Sequence, residues 1–141
     1  MGRVMTKMKL TNHVDQGAAE RGLIPVSEVR SAEIDGLVDT GAMTLALPAD
    51  VVERLGLPVI GRTVVSLADR TPRELSIVAL HLEILGRPMV LDAFVLPAGS
   101  TPLIGQIPLE RLDLLVDSKS KDLIVNPASP DIPTLDLLRV A

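Results

Sequence analysis

The chain has no cysteine, no tryptophan, no tyrosine and a single phenylalanine, Phe94. Without cysteine there is no disulfide frame, no thiolate metal site and no thiol nucleophile. Redox chemistry therefore leaves the compartment open, and a reducing one is compatible. With so few aromatics, a core must be assembled from Leu, Val, Ile, Met and Ala. An excess of basic residues is also missing. Fourteen Lys and Arg against eighteen Asp and Glu give a net charge of -4 and a pI near 5.1. Non-specific nucleic-acid binding needs a basic footprint, so nucleic acid is not an expected partner. The longest uncharged run, 93–109, is broken by Pro97, Gly99, Pro102, Gly105 and Pro108. A bilayer span needs about 20 mostly apolar residues, so no membrane partner is expected either. Arg3, Lys7 and Lys9 near the start are not followed by an apolar stretch of the signal-peptide kind, and a cytoplasmic location is expected. Met1-Gly2-Arg3-Val4-Met5-Thr6 formally fits an acylation pattern, but the same residues make a good strand.

What the chain does contain is enough apolar material, 47% of 141 residues, for one domain with its own core. Residues 3–10 alternate, with Val4, Thr6, Met8 and Leu10 on one face and Met5, Lys7 and Lys9 on the other, as a half-buried strand requires. Residues 11–28, with two glycines, a proline and several charges, read as a long irregular loop. A second strand is predicted over 29–34. Pro48, Val51 and Leu55 four apart, and Gly56 describe a short amphipathic helix. Strands follow at 63–68, 73–85 and 89–96, joined through Asp69-Arg70-Thr71-Pro72 and through Gly86-Arg87-Pro88. A second short helix starts at Pro108, and Leu109-Glu110-Arg111-Leu112 repeats the Glu-Arg-Leu of Val52-Glu53-Arg54-Leu55. Strands at 114–116 and 123–125 close the domain. The tail, with Pro127, Pro130 and Pro133, reads as an extended spacer, followed by an apolar segment at 135–140 able to dock. The pattern predicts an all-β barrel or sandwich with one or two short helices, and a weak internal repeat relating two half-units.

One stretch carries chemistry. Leu37-Val38 leads directly into Asp39-Thr40-Gly41-Ala42. Two explanations fit this tetrapeptide alone. It has the form of the aspartic protease signature. It is also what a strand ending in an Asx turn looks like, with Asp39 bonding its own backbone and Gly41 supplying an awkward φ. A second apolar pair with glycine, Leu103-Ile104-Gly105, lies in the final third.

Taken in order, the N-terminal strand, Asp-Thr-Gly-Ala, flap hairpin, apolar pair with glycine, helix and closing strands resemble the retropepsin-like aspartic proteases. This is the single-lobe family that includes the retroviral enzymes and many small bacterial homologues. The resemblance spans 1–127, leaving 128–141 as a proline-rich tail. It implies a closed β-barrel with a flap, and Leu103-Ile104-Gly105 lying beside the first apolar pair. It also implies a catalytic group of Asp39, Thr40 and Gly41, with Ala42, Leu67, Ala68, Asp69, Ile104 and Gly105 at the substrate. Peptide hydrolysis by this route uses two carboxylates facing one water, and two carboxylates about 3 Å apart share a proton rather than both ionising. This chain has one Asp-Thr-Gly, so the resemblance implies a homodimer with Asp39 from each copy, Thr40 bracing the two loops across the axis, and a peptide or protein substrate. No cofactor or metal is implied.

Three departures from the retroviral pattern stand out. The flap tip, 67–72, has no glycine. Met43 and Thr44 replace acidic residues. Gln106 stands where an arginine is usual, so the ion pair joining these two places is absent. His13 and His81 lack clustered partners, and Ser66, Ser76 and Ser100 lack a neighbouring histidine and glycine elbow. The sequence thus points to an aspartic endopeptidase; its rival is a non-catalytic peptide-binding or scaffold domain of the same fold.

Overall fold

The computed structural model describes residues 3–138. Met1 and Gly2 of the acylation pattern, and residues 139–140 of the C-terminal apolar segment, lie outside them. The fold is mostly β. Its elements are β1 (Met5–Thr11), α1 (His13–Glu20), β2 (Ser31–Val38), β3 (Leu45–Pro48), α2 (Ala49–Leu55), β4 (Val59–Ser66), β5 (Pro72–Ile84), β6 (Arg87–Leu96), β7 (Leu103–Ile104), α3 (Gln106–Arg111), β8 (Leu114–Asp117) and β9 (Asp122–Val125).

Six strands form a ring in the order β1-β2-β7-β3-β6-β5, closed where β5 returns to β1. The closure pairs Lys9 with Glu83, Leu10 with Leu82 and Thr11 with His81. β5 can do this because its 13 residues change partner along one edge: its first half pairs with β4, its second with β1. β4 is therefore left outside the ring as the second arm of a hairpin. β8 and β9 form a separate two-stranded sheet.

The alternation read in β1 is realised: Met8 and Leu10 are fully buried, while Lys7 and Lys9 face water. The same period in β5 buries Val78, Leu80, Leu82 and Ile84. These join Leu45, Leu47, Leu55, Ile104 and Leu112 in one aliphatic core, each side chain contributing about 1.5–3 kcal/mol on burial. β2 runs past the expected end, through Gly36 to Val38. A side chain at Gly36 would meet Met8 Cε at 2.7 Å and Ile104 Cδ1 at 3.0 Å, so glycine lets the strand pass close to both.

The expectation of an irregular loop over 11–28 is wrong. Residues 13–20 form α1, and Val26–Glu28 form one 3-10 turn. The overlooked signal is Asn12, whose side chain accepts from the backbone N–H of Val14 and Asp15 at 3.0 Å, the bonds of an N-cap. Its amide also donates to Leu55 O at 2.9 Å, fixing α1 to the end of α2. Asp15 takes a two-pronged bond from Arg30 (2.8 and 3.0 Å), which closes the excursion and holds the Asp15 carboxyl below its ordinary value.

The tail is not a free spacer where it leaves β9. Asn126, Ser129 and Thr134 all bond to the carboxylate of Asp113. Buried Arg87 donates to the carbonyls of Leu112, Asp113 and Ser129.

Candidate active site

Asp39 lies one residue beyond β2 and is positioned from both sides. Val38 N–H donates to Val4 O at 2.8 Å, and Asp39 N–H donates to Ile104 O at 3.0 Å. The two apolar pairs run side by side in parallel, Leu37 against Leu103 and Val38 against Ile104. That is the juxtaposition the resemblance implied.

The loop from Asp39 to Thr44 begins as an Asx turn. Asp39 Oδ1 accepts from Gly41 N–H at 3.0 Å, and Ala42 N–H donates to Asp39 O at 3.0 Å. The turn explanation and the signature explanation thus describe one geometry. Asp39 Oδ2 carries no hydrogen bond among the described residues, leaving that oxygen open to water or a partner group. Asp39 itself is half-buried, while Thr40 and Gly41 are exposed.

The far side of the loop is locked to the start of α3. Gly105 N–H donates to Thr44 O (3.1 Å), Gln106 N–H to Ala42 O (2.9 Å) and Ile107 N–H to Met43 O (3.0 Å). The first N–H groups of a helix have no partner within it; here the carbonyls of the loop satisfy them. This backbone clamp does the joining that an ion pair cannot do in a chain with Gln106 and Met43. Gln106 instead donates from its side chain to Glu110 Oε1 at 2.9 Å, along its own helix. Sequence inspection missed the clamp because backbone donors carry no residue signature.

The site residues read from the sequence fall into two groups. Asp39, Thr40, Gly41, Ala42, Ile104 and Gly105 come together in this clamp. Leu67, Ala68 and Asp69 sit at the tip of the β4–β5 hairpin. There Leu67 N–H bonds Thr71 O, Arg70 N–H bonds Leu67 O, and Thr71 N–H bonds Asp69 Oδ1. The last bond holds the Asp69 carboxyl below its ordinary value. Arg70 adopts φ +63°, a left-handed conformation that glycine takes without strain. The hydrogen bonds of the tip among the described residues are internal to it.

Beside Thr40 a groove of about 440 Å³ runs along α3 and β8, bounded by Gln106, Leu109, Asp113, Leu115 and Leu123. No group of three or more His, Asp or Glu able to hold a metal occurs among the described residues. Nor is any helix among them long and apolar enough to cross a membrane.

The ring of strands sets Asp-Thr-Gly beside a second apolar pair with glycine. The family profile described as aspartyl protease matches residues 26–107, more than half of the chain. The chain belongs to the aspartyl protease family. Among solved structures it is similar to the protease of simian foamy virus (mac), at 12% identity over 74% of this chain and 92% of that one, TM-score 0.47. It is similar also to a retropepsin-like aspartic protease from Rickettsia conorii, at 16% identity over 84% of this chain and 90% of that one, TM-score 0.46. The search of curated proteins found no match.

Proposed function

We propose that the protein is an aspartic endopeptidase that hydrolyses peptide bonds with two Asp39 carboxylates, one from each copy of a homodimer. The observation that carries this reading is the clamped Asp39 loop. Its backbone is fixed by β2, β7 and α3, while the carboxylate keeps an oxygen without an internal partner. Preorganised acid groups are what such catalysis needs. One carboxylate accepts a proton from the attacking water and the other, protonated, donates to the scissile carbonyl.

With one such aspartate per chain, the second carboxylate comes from a second copy related by a two-fold axis. Thr40, exposed next to Asp39, is the residue placed to bridge the two loops. Ala42 lies on the floor for an extended peptide, backed by the buried Ile104 and Gly105, and Leu67, Ala68 and Asp69 cover it. Residues 1–127 supply this machinery, and a cytoplasmic setting belongs to the same proposal.

The flap favours a second reading, a peptide-binding domain that cleaves nothing, since its tip is closed by its own bonds and lacks glycine. Cleavage of a peptide library at mildly acidic pH by wild type and by Asp39→Asn separates the two. The enzyme gives a bell-shaped pH profile that the variant abolishes; a binding domain gives retention of peptide with no products from either protein.

A further inference from the structure

β4 is paired along one edge only: among the described residues its strand partner is β5, and it ends the strand order. The phase of that ladder fixes which main-chain groups are left over. Leu67 N–H donates to Thr71 O, and bonded and non-bonded pairs alternate in an antiparallel ladder. Counting back through the register, Val65 with Arg73 and Thr63 with Leu75 are bonded pairs. Ser66 with Pro72, Val64 with Glu74 and Arg62 with Ser76 are not. Pro72, which has no N–H to give, falls on a non-bonded pair as this phase requires. Arg62, Val64 and Ser66 therefore turn N–H and C=O away from β5, along an open edge. Such edges are normally guarded by proline, lysine or a bulge. Here the bulge lies at the start of β4, between Val59 and Gly61, and leaves 62–66 regular. The one charge in 59–66 is Arg62, whose guanidinium already has Glu74 at 3.5 Å. Val64, midway along the open edge, is 67% exposed.

We propose that 62–66 is a self-association edge, to which β4 of a second copy adds antiparallel about a two-fold axis at Val64, making one sheet in the order β5-β4-β4-β5. The occupant is a second copy because the edge is complementary to itself. With Val64 opposite Val64, Arg62 stands opposite Ser66 in both directions. All three outward residues of each copy are then paired, through about six main-chain hydrogen bonds. Arg62, Val64 and Ser66 share one face of the strand, so the two exposed valines meet there. The two Arg62 side chains lie about 13 Å apart along the strands, each beside its own Glu74. Other registers are poorer. An axis at Arg62 sets like charges face to face. An axis at Thr63 brings the two Arg62 within about 7 Å along the strands and reaches the bulge. An axis at Ser66 runs into the tip, whose N–H groups are spent on its own bonds. None of 62–66 belongs to the Asp39 clamp, and the contact stands whether or not the chain cleaves peptides. Where two copies also share a site, it joins such pairs into larger assemblies.

A charge swap at the axis tests this. Val64→Lys and Val64→Glu are sedimented over a range of concentrations, singly and as an equimolar mixture, alongside wild type. Either variant alone is expected to weaken the wild-type association step about tenfold or more, because like charges meet at the axis. The mixture, in which Lys faces Glu, is expected to restore it. Val64→Lys has Glu74 opposite it on β5 as a complement, so its loss of association is not a folding defect. Hydrogen exchange reads the main chain. The amides of Thr63 and Val65 should exchange slowly at every concentration, and those of Arg62, Val64 and Ser66 slowly only when wild type associates. Wild type with no association step that Val64→Lys weakens overturns the proposal. So does a mixture that stays as weak as its components, or outward amides that exchange at one rate in dilute and concentrated protein. A shared-site dimer survives in both variants, so each of these failures leaves the proposed function standing.

Discussion

Gly105 lies so close to Thr44 that a β-carbon added to it would stand 2.5 Å from the Thr44 carbonyl oxygen and 2.7 Å from its amide nitrogen, with Ala42 O at 2.6 Å. All three atoms are backbone, so no side chain can swing aside. This approach allows Gly105 N–H and its two successors to hold the Asp39 loop. Gly105→Ala is expected to cost about 1–3 kcal/mol of stability, as overpacking does. Its turnover should fall further than this loss explains, because the loop itself is displaced. Denaturant unfolding and single-turnover peptide cleavage on the same sample check both parts.

Arg87 closes the opposite end of α3. Its guanidinium is 5% exposed on the side chain and donates to three carbonyls, those of Leu112, Asp113 and Ser129, with Asp113 Oδ2 at 4.0 Å. Arg87→Met keeps the apolar stem but leaves these acceptors and a nearby carboxylate without their cation. A loss of about 3 kcal/mol or more is expected, as when one partner of a buried pair is removed. Urea unfolding measures it, and hydrogen exchange should show the 126–134 segment opening first.

The hydrogen bonds from Ser129, Asn126 and Thr134 lower the Asp113 pKa from its ordinary 3.8 to about 2. A depressed folded-state pKa stabilises the folded protein above the unfolded value, and the contribution disappears as pH falls through the folded one. The Asp113 clasp is thus intact at the mildly acidic pH expected for catalysis and is lost between about pH 4 and pH 2. Melting temperatures measured across that range should fall less steeply for Asp113→Asn than for wild type.

At the flap tip, Arg70 holds φ +63°. Replacing it with glycine removes a left-handed strain of about 1 kcal/mol, partly offset by the greater freedom of the unfolded chain. Arg70→Gly is expected to keep or slightly raise stability while speeding local opening of residues 66–72. Hydrogen exchange with and without a peptide-based transition-state mimic reads the opening, and an acceleration in cleavage would identify flap motion as the slow step.

Side-chain periodicity made the long ring strands β1, β5 and β6 legible, while the short β3 and β7 were visible only as apolar pairs. The alternation of Met8 and Leu10 with Lys7 and Lys9 identifies a buried face, and the repeated Glu-Arg-Leu marks α2 and α3. The repeat goes one residue further than it looks: Gly56 and Asp113, which follow the two leucines, both take positive φ (64° and 56°). Asp113 concealed this, because a carboxylate gives no hint of a glycine-like turn. α1 was hidden for another reason. Gly17 and Gly22 weaken helix propensity around it, and its stability comes from the Asn12 cap and the Asp15–Arg30 bond, which depend on distant parts of the chain. The clamp on the Asp39 loop was illegible because its donors and acceptors are all main-chain atoms.

The central claim is that two chains share one site, and subunit mixing tests it most directly. Wild type is equilibrated with an excess of Asp39→Asn chains and assayed for peptide cleavage. At an about ninefold excess, random assortment leaves roughly a tenth of the wild-type subunits paired with one another. Activity per wild-type chain should therefore fall to roughly a tenth, since a mixed dimer holds only one Asp39 carboxylate. Activity that stays unchanged at every mixing ratio, in a protein that cleaves peptides, would contradict a shared site.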